Sequence, residues 1–285
     1  MAQRPVEEPG LTRPTGSGSA RSLLLTVLGE YVLPRDAPVW TSALLRVLDG
    51  LGVEEKAARQ ALNRLSASGL VTAERSGRRV RWALTEHGRT LLSEGAERIY
   101  SFGRARSSWD GRWLVLFVSV PESKRELRHR LRTRLTWVGL GSPAPGLWVG
   151  PHTAREAEAK QVVEELGLGP EVSSFCGPFA GIGSERDMVE QAWRLGDLAT
   201  EYAEFVHAFA GMRAEPGADT LLAQVRLVDA WRRFPALDPQ LPLELLPPHW
   251  IGVRAANLFT ELHERWHGAA QEEWDRLTAP LTPPA

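Results

Sequence analysis

The sequence predicts a multidomain α+β protein: an N-terminal winged helix-turn-helix, a central ferredoxin-like α/β sandwich and a mostly helical C-terminal domain. Three observations carry this. Between residues 20 and 99, three segments with helical apolar spacing are followed by a basic hairpin and a fourth helix. From 113 to 175, β-prone runs alternate with helical ones. Beyond about 181 the apolar spacing is helical almost throughout.

The first 19 residues are polar, rich in Pro and Gly, and have no apolar h-region. They read as a disordered tail and not as a secretory signal. The first ordered domain is expected over 20–105. Ser22 can cap a helix whose apolar face is Leu23, Leu24, Val27, Leu28 and Tyr31. The run Leu33-Pro34-Arg35-Asp36-Ala37-Pro38 breaks it. A second helix is expected over 41–51, with Leu44, Leu45, Val47 and Leu48 inward, and Gly50 and Gly52 bracket a tight turn. A third helix runs from about Glu54 to Ser68.

That third helix has two faces. Ala57, Ala58, Ala61, Leu62 and Leu65 form the apolar one, and Lys56, Arg59, Gln60 and Asn63 share the opposite one. Residues 70–73 and 80–84 are β-prone, with Ser76-Gly77 as a turn between them and Arg75, Arg78 and Arg79 at the tip. Thr85 can cap a fourth helix reaching about Ile99. Helix, helix, glycine turn, helix, basic hairpin is the order of a winged helix-turn-helix. In such modules the third helix enters the major groove and the wing contacts the DNA backbone or minor groove.

Arg59, Gln60 and Asn63 are the candidate base readers, because Arg pairs bidentately with guanine and Asn or Gln with adenine. Lys56, Arg64, Arg75, Arg78, Arg79 and Arg81 are the candidate phosphate contacts. One such module reads few bases, so a homodimer on double-stranded DNA is expected.

After a linker over 101–108, the central domain is expected over 106–180. Its elements are a strand from Trp113 to Val120, a helix over 124–137 with Leu127, Leu131 and Leu135 aligned, and a loop over 139–143. A strand over 146–150, a helix over 154–166 and a strand over 172–175 complete it. The C-terminal domain, 181–285, is assigned to effector binding and dimerisation. It carries one apolar stripe (Met188, Ala192, Leu195, Leu198, Tyr202, Phe205), a helix over 221–234, a proline-rich loop and a final helix over 253–277.

Bulk properties narrow the function. Net charge is −1, so the molecule is no general polyanion binder. Local excesses are informative instead. Residues 53–84 hold one Lys and six Arg against three Glu, and residues 124–134 hold one Lys and five Arg against one Glu. No apolar run approaches the roughly 20 residues of a membrane helix, so no membrane partner is expected and a cytoplasmic location is the default. The single Cys176 excludes an internal disulfide framework and any multi-Cys zinc cluster. It is expected to be a small buried residue and not a nucleophile.

His263-Glu264-Arg265-Trp266-His267 matches H-E-x-x-H, the spacing that sets two zinc ligands and a general base on one helix. A zinc hydrolase using His263 and His267 is therefore the enzyme alternative. A third ligand is needed, however, and Glu272 and Glu273 lie in the same helix. The expected reading is a terminal amphipathic helix burying Ala256, Leu258, Phe259, Leu262 and Trp266, with no catalytic residue, metal or cofactor.

The chain resembles the PaaX-type bacterial transcriptional regulators, the repressor family of phenylacetate degradation. The resemblance covers most of 20–270. It rests on SLLLTVLGEYV followed by Pro34-Arg35, on KAARQALNRLSASGLV and SGRRVRWALTEHG, on WDGRW at 109–113, PGLWVGP at 145–151 and WRRFPALDPQLPLELLP at 231–247. It implies a dimeric cytoplasmic repressor that binds an inverted-repeat operator and is released by an aryl-CoA thioester such as phenylacetyl-CoA. Arg232 and Arg233 beside Trp231, together with Trp148, suit the phosphates and adenine of a CoA effector. The resemblance also implies a middle domain like that of a small CRISPR-associated nuclease, which would place a metal-binding Asp at the end of the first strand. Here that strand ends Val118-Ser119-Val120-Pro121. Asp229-Ala230 stands before Trp231-Arg232-Arg233 where the family pattern has His-Glu. A winged-helix regulator of another pathway, with a different acyl-CoA or no ligand, is the nearest alternative.

Overall fold

A computed structural model describes residues 18–103, 108–121 and 123–279. The expected tail falls almost wholly outside the described residues, as does the centre of the expected linker. The chain is a mixed α+β protein with two antiparallel sheets. It forms two compact units. Unit 1 takes Met1–Tyr100, Met212–Arg233 and Phe259–Ala285, and unit 2 takes Ser101–Gly211 and Phe234–Leu258. The sequence division at 105 and 180 follows local signals, whereas these units follow tertiary contacts.

Unit 1 opens with α1 (Ala20–Val27). Its N-cap is Ser19, whose Oγ accepts from the Ser22 amide at 3.1 Å, and not Ser22 itself. Ser22 is already inside the helix and buried. The helix continues as a π-helical turn over Leu28–Val32 and a 3-10 turn over Leu33–Arg35, and Asp36 at φ 44° ends it. The wide turn carries both Tyr31 and Glu30 inward, at 0% and 7% exposure. Then follow β1 (Val39–Trp40), α2 (Thr41–Gly50), α3 (Glu55–Ala67), β2 (Val71–Ser76), β3 (Arg79–Leu84) and α4 (Glu86–Ser101). The strands pair in the order β1-β3-β2. Thr85 Oγ1 accepts from the Gly88 amide at 2.9 Å, as a capping threonine should.

In unit 2, β4 (Arg112–Val118), α5 (Arg125–Trp137), β5 (Gly141–Ala144), β6 (Leu147–Gly150), α6 (Glu156–Glu165) and β7 (Val172–Pro178) follow in β-α-β-β-α-β order. The sheet runs β5-β6-β4-β7, antiparallel throughout. Strand β5 lies in the expected loop. Pro143 hid it, and the sheet tolerates that proline because β5 is an edge strand. One sheet face buries Leu114, Leu116, Val118 and Trp148 with Leu131 and Leu135 of α5 and Val162 and Val163 of α6. On the other face Phe117 and Phe175 stay 56% and 65% exposed. The expected single stripe after 181 is two helices, α7 (Glu185–Trp193) and α8 (Leu195–Phe209), broken at Arg194, which has φ 50°.

Helix α9 (Ala218–Trp231) returns the chain to unit 1. The short α10 (Phe234–Leu237) and the proline-rich stretch belong to unit 2, where the Tyr202 hydroxyl donates to buried Asp238 at 2.7 Å. Helix α11 (Ile251–Thr278) contributes its residues from Phe259 onward to unit 1. The unit 1 core therefore joins Leu24, Leu48, Leu62 and Leu65 to Leu221 and Val225 of α9 and Ala270 and Trp274 of α11. The Trp274 ring stacks on Tyr31 with centroids 5.0 Å apart. Among the described residues no helix is long and apolar enough to cross a membrane.

Candidate nucleic-acid interface

Helix α3 is positioned by its apolar side. Ala58, Ala61, Leu62 and Leu65 are each 1% exposed or less, which fixes the rotation of the helix. The turn before it is tight. Gly52 takes φ +84°, and the Val53 amide donates to the Leu48 carbonyl at 2.9 Å, closing the end of α2. With that rotation fixed, Lys56, Arg59, Gln60, Asn63 and Arg64 are all exposed. The sequence placed Lys56, Arg59, Gln60 and Asn63 on one open face, and in the structure all four are exposed, as is Arg64.

The hairpin β2–β3 stands beside α3 in the same unit. Its two-residue connection is Gly77-Arg78, with Gly77 at φ +60°, the glycine-first arrangement that suits a type II′ hairpin turn. Arg75, Arg78, Arg79 and Arg81 are exposed along it. The base of the hairpin is pinned to α2. Trp82 Nε1 donates to Thr41 Oγ1 at 2.9 Å, and Thr41 Oγ1 donates to the Val80 carbonyl at 2.9 Å.

Two of the cations are already engaged. Arg59 pairs with Glu55 one turn earlier at 2.7 Å, and Arg81 pairs with Glu74 across the hairpin at 2.7 Å. Both pairs are exposed, so each is weak and can be exchanged for a phosphate or a base edge. Lys56, Arg64, Arg75, Arg78 and Arg79 have no ion-pair partner among the described residues. The result is a row of donors and amides on a helix, flanked by a hairpin with three unpaired arginines, Arg75, Arg78 and Arg79. Such a surface can hold a polyanion by charge and read base edges by hydrogen bonding.

The residues considered for an effector are divided between the two units. Trp231 is 0% exposed and stacks on Phe259 at 4.8 Å, inside unit 1. Trp148 sits in the unit 2 core. Arg232 donates to the Ser22 carbonyl at 3.1 Å and to Thr26 Oγ1 at 3.3 Å. Burial pushes the Arg232 guanidinium below its usual range, opposed by the charge of Asp229. Arg233 is half-buried. Asp229, at the position that departs from the family pattern, is itself a buried hub. It accepts from the Gly18 amide at 2.9 Å, Ser22 Oγ at 2.5 Å and Thr26 Oγ1 at 3.3 Å. In this arrangement Trp231, Arg232 and Asp229 tie α9 to α1.

Sequence reasoning missed an apolar groove of about 320 Å³ on the outer face of the unit 2 sheet. Trp113, Val115, Val149, Phe175, Ile182 and Met188 line it. Alternation along β4 and β7 was its only local signal. Cys176 also lines it and is exposed, not buried as expected. Strand β7 is the sheet's other edge and pairs with β4 alone.

Comparison with known proteins gives a consistent result. Three family models match: "PaaX-like protein" over residues 19–88, "PaaX protein central Cas2-like domain" over 106–189 and "PaaX-like protein C-terminal domain" over 193–276. The chain is 31% identical over 263 residues to the transcriptional repressor PaaX of Escherichia coli (strain K12), covering 88% of this chain and 82% of that one. Among solved structures it is similar to an uncharacterized protein from Mycobacterium tuberculosis, with a TM-score of 0.60 and 20% identity. That likeness covers 92% of this chain and 99% of the other, and it bears on fold alone.

Proposed function

We propose that this chain, which belongs to the PaaX-like family of transcriptional repressors, binds an inverted-repeat operator as a homodimer through a winged helix-turn-helix in unit 1. The observation that carries this is the exposed face of α3. Lys56, Arg59, Gln60, Asn63 and Arg64 are all exposed beside a hairpin whose arginines are largely unpaired. In this reading α3 lies in the major groove, Arg59, Gln60 and Asn63 meet base edges, and the hairpin tracks phosphates. Two copies are required because one helix reads too few bases for useful specificity.

An aryl-CoA thioester such as phenylacetyl-CoA is the proposed effector. It need only prefer the state that cannot bind DNA. Its aryl end suits the apolar groove of unit 2, which has the size and lining of a small-ligand site. Met188→Trp, which fills that groove, then abolishes thioester-induced release while leaving DNA affinity unchanged.

Fluorescence anisotropy on DNA from upstream of the gene and its neighbours, at two salt concentrations and with or without phenylacetyl-CoA, tests the proposal. Specific binding released by the thioester and not by free phenylacetate supports all of it. Specific binding indifferent to the thioester removes the effector and keeps the operator. Binding no tighter than to random DNA removes the winged-helix reading.

A further inference from the structure

Glu30 presents a problem that the DNA-binding surface does not solve. Its carboxylate is almost fully buried in the π-helical turn after α1. Among the described residues its one basic neighbour within 4 Å is His263, with Nε2 at 3.3 Å from Oε2. Among the described residues no Lys or Arg pairs with it, and a buried carboxylate without a cation is costly. The remaining contacts are neutral. The Tyr100 hydroxyl donates to Oε1, and the Gln224 amide approaches Oε2 at 3.3 Å.

One turn along α11 from His263 stands His267, with ring centroids 5.3 Å apart. His267 is exposed and makes no hydrogen bond among the described residues. Ligand atoms of Glu30, His263 and His267 all lie within 4.8 Å of one another. The HERWH motif thus gains from the π-helical turn after α1 the third ligand that its own helix could not supply. We propose that Glu30, His263 and His267 form a binding site for a divalent transition-metal ion of the zinc class.

The geometry supports this. Metal–ligand distances of about 2.0–2.1 Å put the ligands of a tetrahedral zinc about 3.3 Å apart. The Glu30–His263 edge already has that length. Starting from separations within 4.8 Å, His267 must close by up to roughly 1.5 Å for the same tetrahedron, which an exposed side chain achieves by a torsional change. A second layer holds the first ligands. Tyr100 fixes the far oxygen of Glu30, and the His263 ring packs against Tyr100 and Phe259, with centroids at 5.0 and 5.6 Å. A π-turn placing one ligand inward is a recurrent device at functional sites.

Glu264, the residue that would act as base in a peptidase, is exposed and outside the cluster. The ion therefore has a structural or sensory role, tying the end of α1 to α11 within unit 1, and not a hydrolytic one.

The test uses the full chain, stripped with a chelator and titrated with Zn²⁺ by calorimetry, with metal content measured after desalting. The expected result is one zinc per chain and a higher melting temperature on loading. His267→Ala, which alters an exposed side chain, weakens binding by roughly 100-fold or more, and Tyr100→Phe by roughly 10-fold through the lost orientation of Glu30. His207→Ala, away from the cluster, leaves binding intact. Cobalt substitution reports the coordination independently, with the intense visible bands of a four-coordinate ion. No saturable binding, or equal binding by His267→Ala, overturns the proposal. Binding lost in His267→Ala but kept in Glu30→Gln reduces the site to a surface histidine pair and overturns it equally.

Discussion

Residues 53–84 and 124–134 carry nearly the same excess of positive charge, yet they build different surfaces. In the first, four apolar side chains fix α3 so that cations alternate with Gln60 and Asn63 on the open face, and a basic hairpin stands alongside. In the second, α5 anchors by Leu131 and Leu135, its arginines are interspersed with no carboxamide, and Arg134 is spent on Glu165 of α6. Charge alone does not distinguish the two surfaces. The amides interleaved with the charge, and the hairpin standing next to it, do.

The comparison can be broken most severely from the buried side. Leu62→Ala leaves every surface charge in place but opens the packing that sets the rotation of α3. It should cost about 2–5 kcal/mol of stability, read by denaturant melts. Next comes Asn63→Ala, expected to cost about 1–3 kcal/mol at one operator position and to relax base preference there. Arg130→Ala, its counterpart on α5, should leave operator affinity unchanged in the same anisotropy assay. An equal loss from both would mean that DNA contacts extend over α5.

Arg78→Ala should weaken binding to all sequences alike and lower the salt slope by about 1. A changed base preference with an unchanged slope would instead make Arg78 a base reader. Glu55→Gln frees Arg59 from an exposed pair worth only about 0.3–0.5 kcal/mol, so DNA binding should tighten by no more than a few-fold. The smallest effect concerns pH. Hydrogen bonds from Arg134 and then Gln161 hold the Glu165 carboxyl below its usual range. Its contribution is then present above the ordinary carboxylate value and is lost as pH falls through the lowered one. Glu165→Gln should flatten that acid limb of the stability curve slightly, because the pair is exposed.

The α3 face and the hairpin were legible in the sequence because both are local. Helical spacing, a glycine turn and a two-residue hairpin connection each announce themselves within a dozen residues. The break at Arg194 was not legible, since a non-glycine residue in the left-handed region leaves no compositional mark. Nor was the surrounding of Glu30. Its partners Tyr100, Gln224 and His263 lie 70, 194 and 233 residues away along the chain. The sequence set HERWH only beside Glu272 and Glu273 of its own helix, and no local signal brings Glu30 next to His263. The roles considered for Trp231 and Arg232 met a similar limit, since a basic-aromatic motif does not reveal that its tryptophan is the floor of a core.

The return of α9 and of α11 from Phe259 onward to unit 1 sets an order of events during synthesis. Every residue of unit 2 leaves the ribosome before Phe259 does, whereas the core around Leu24 and Tyr31 waits for Ala270 and Trp274. The half of the molecule that begins first is completed last. A nascent chain, or one truncated before residue 259, therefore carries the α3 surface on a core that still lacks Ala270 and Trp274.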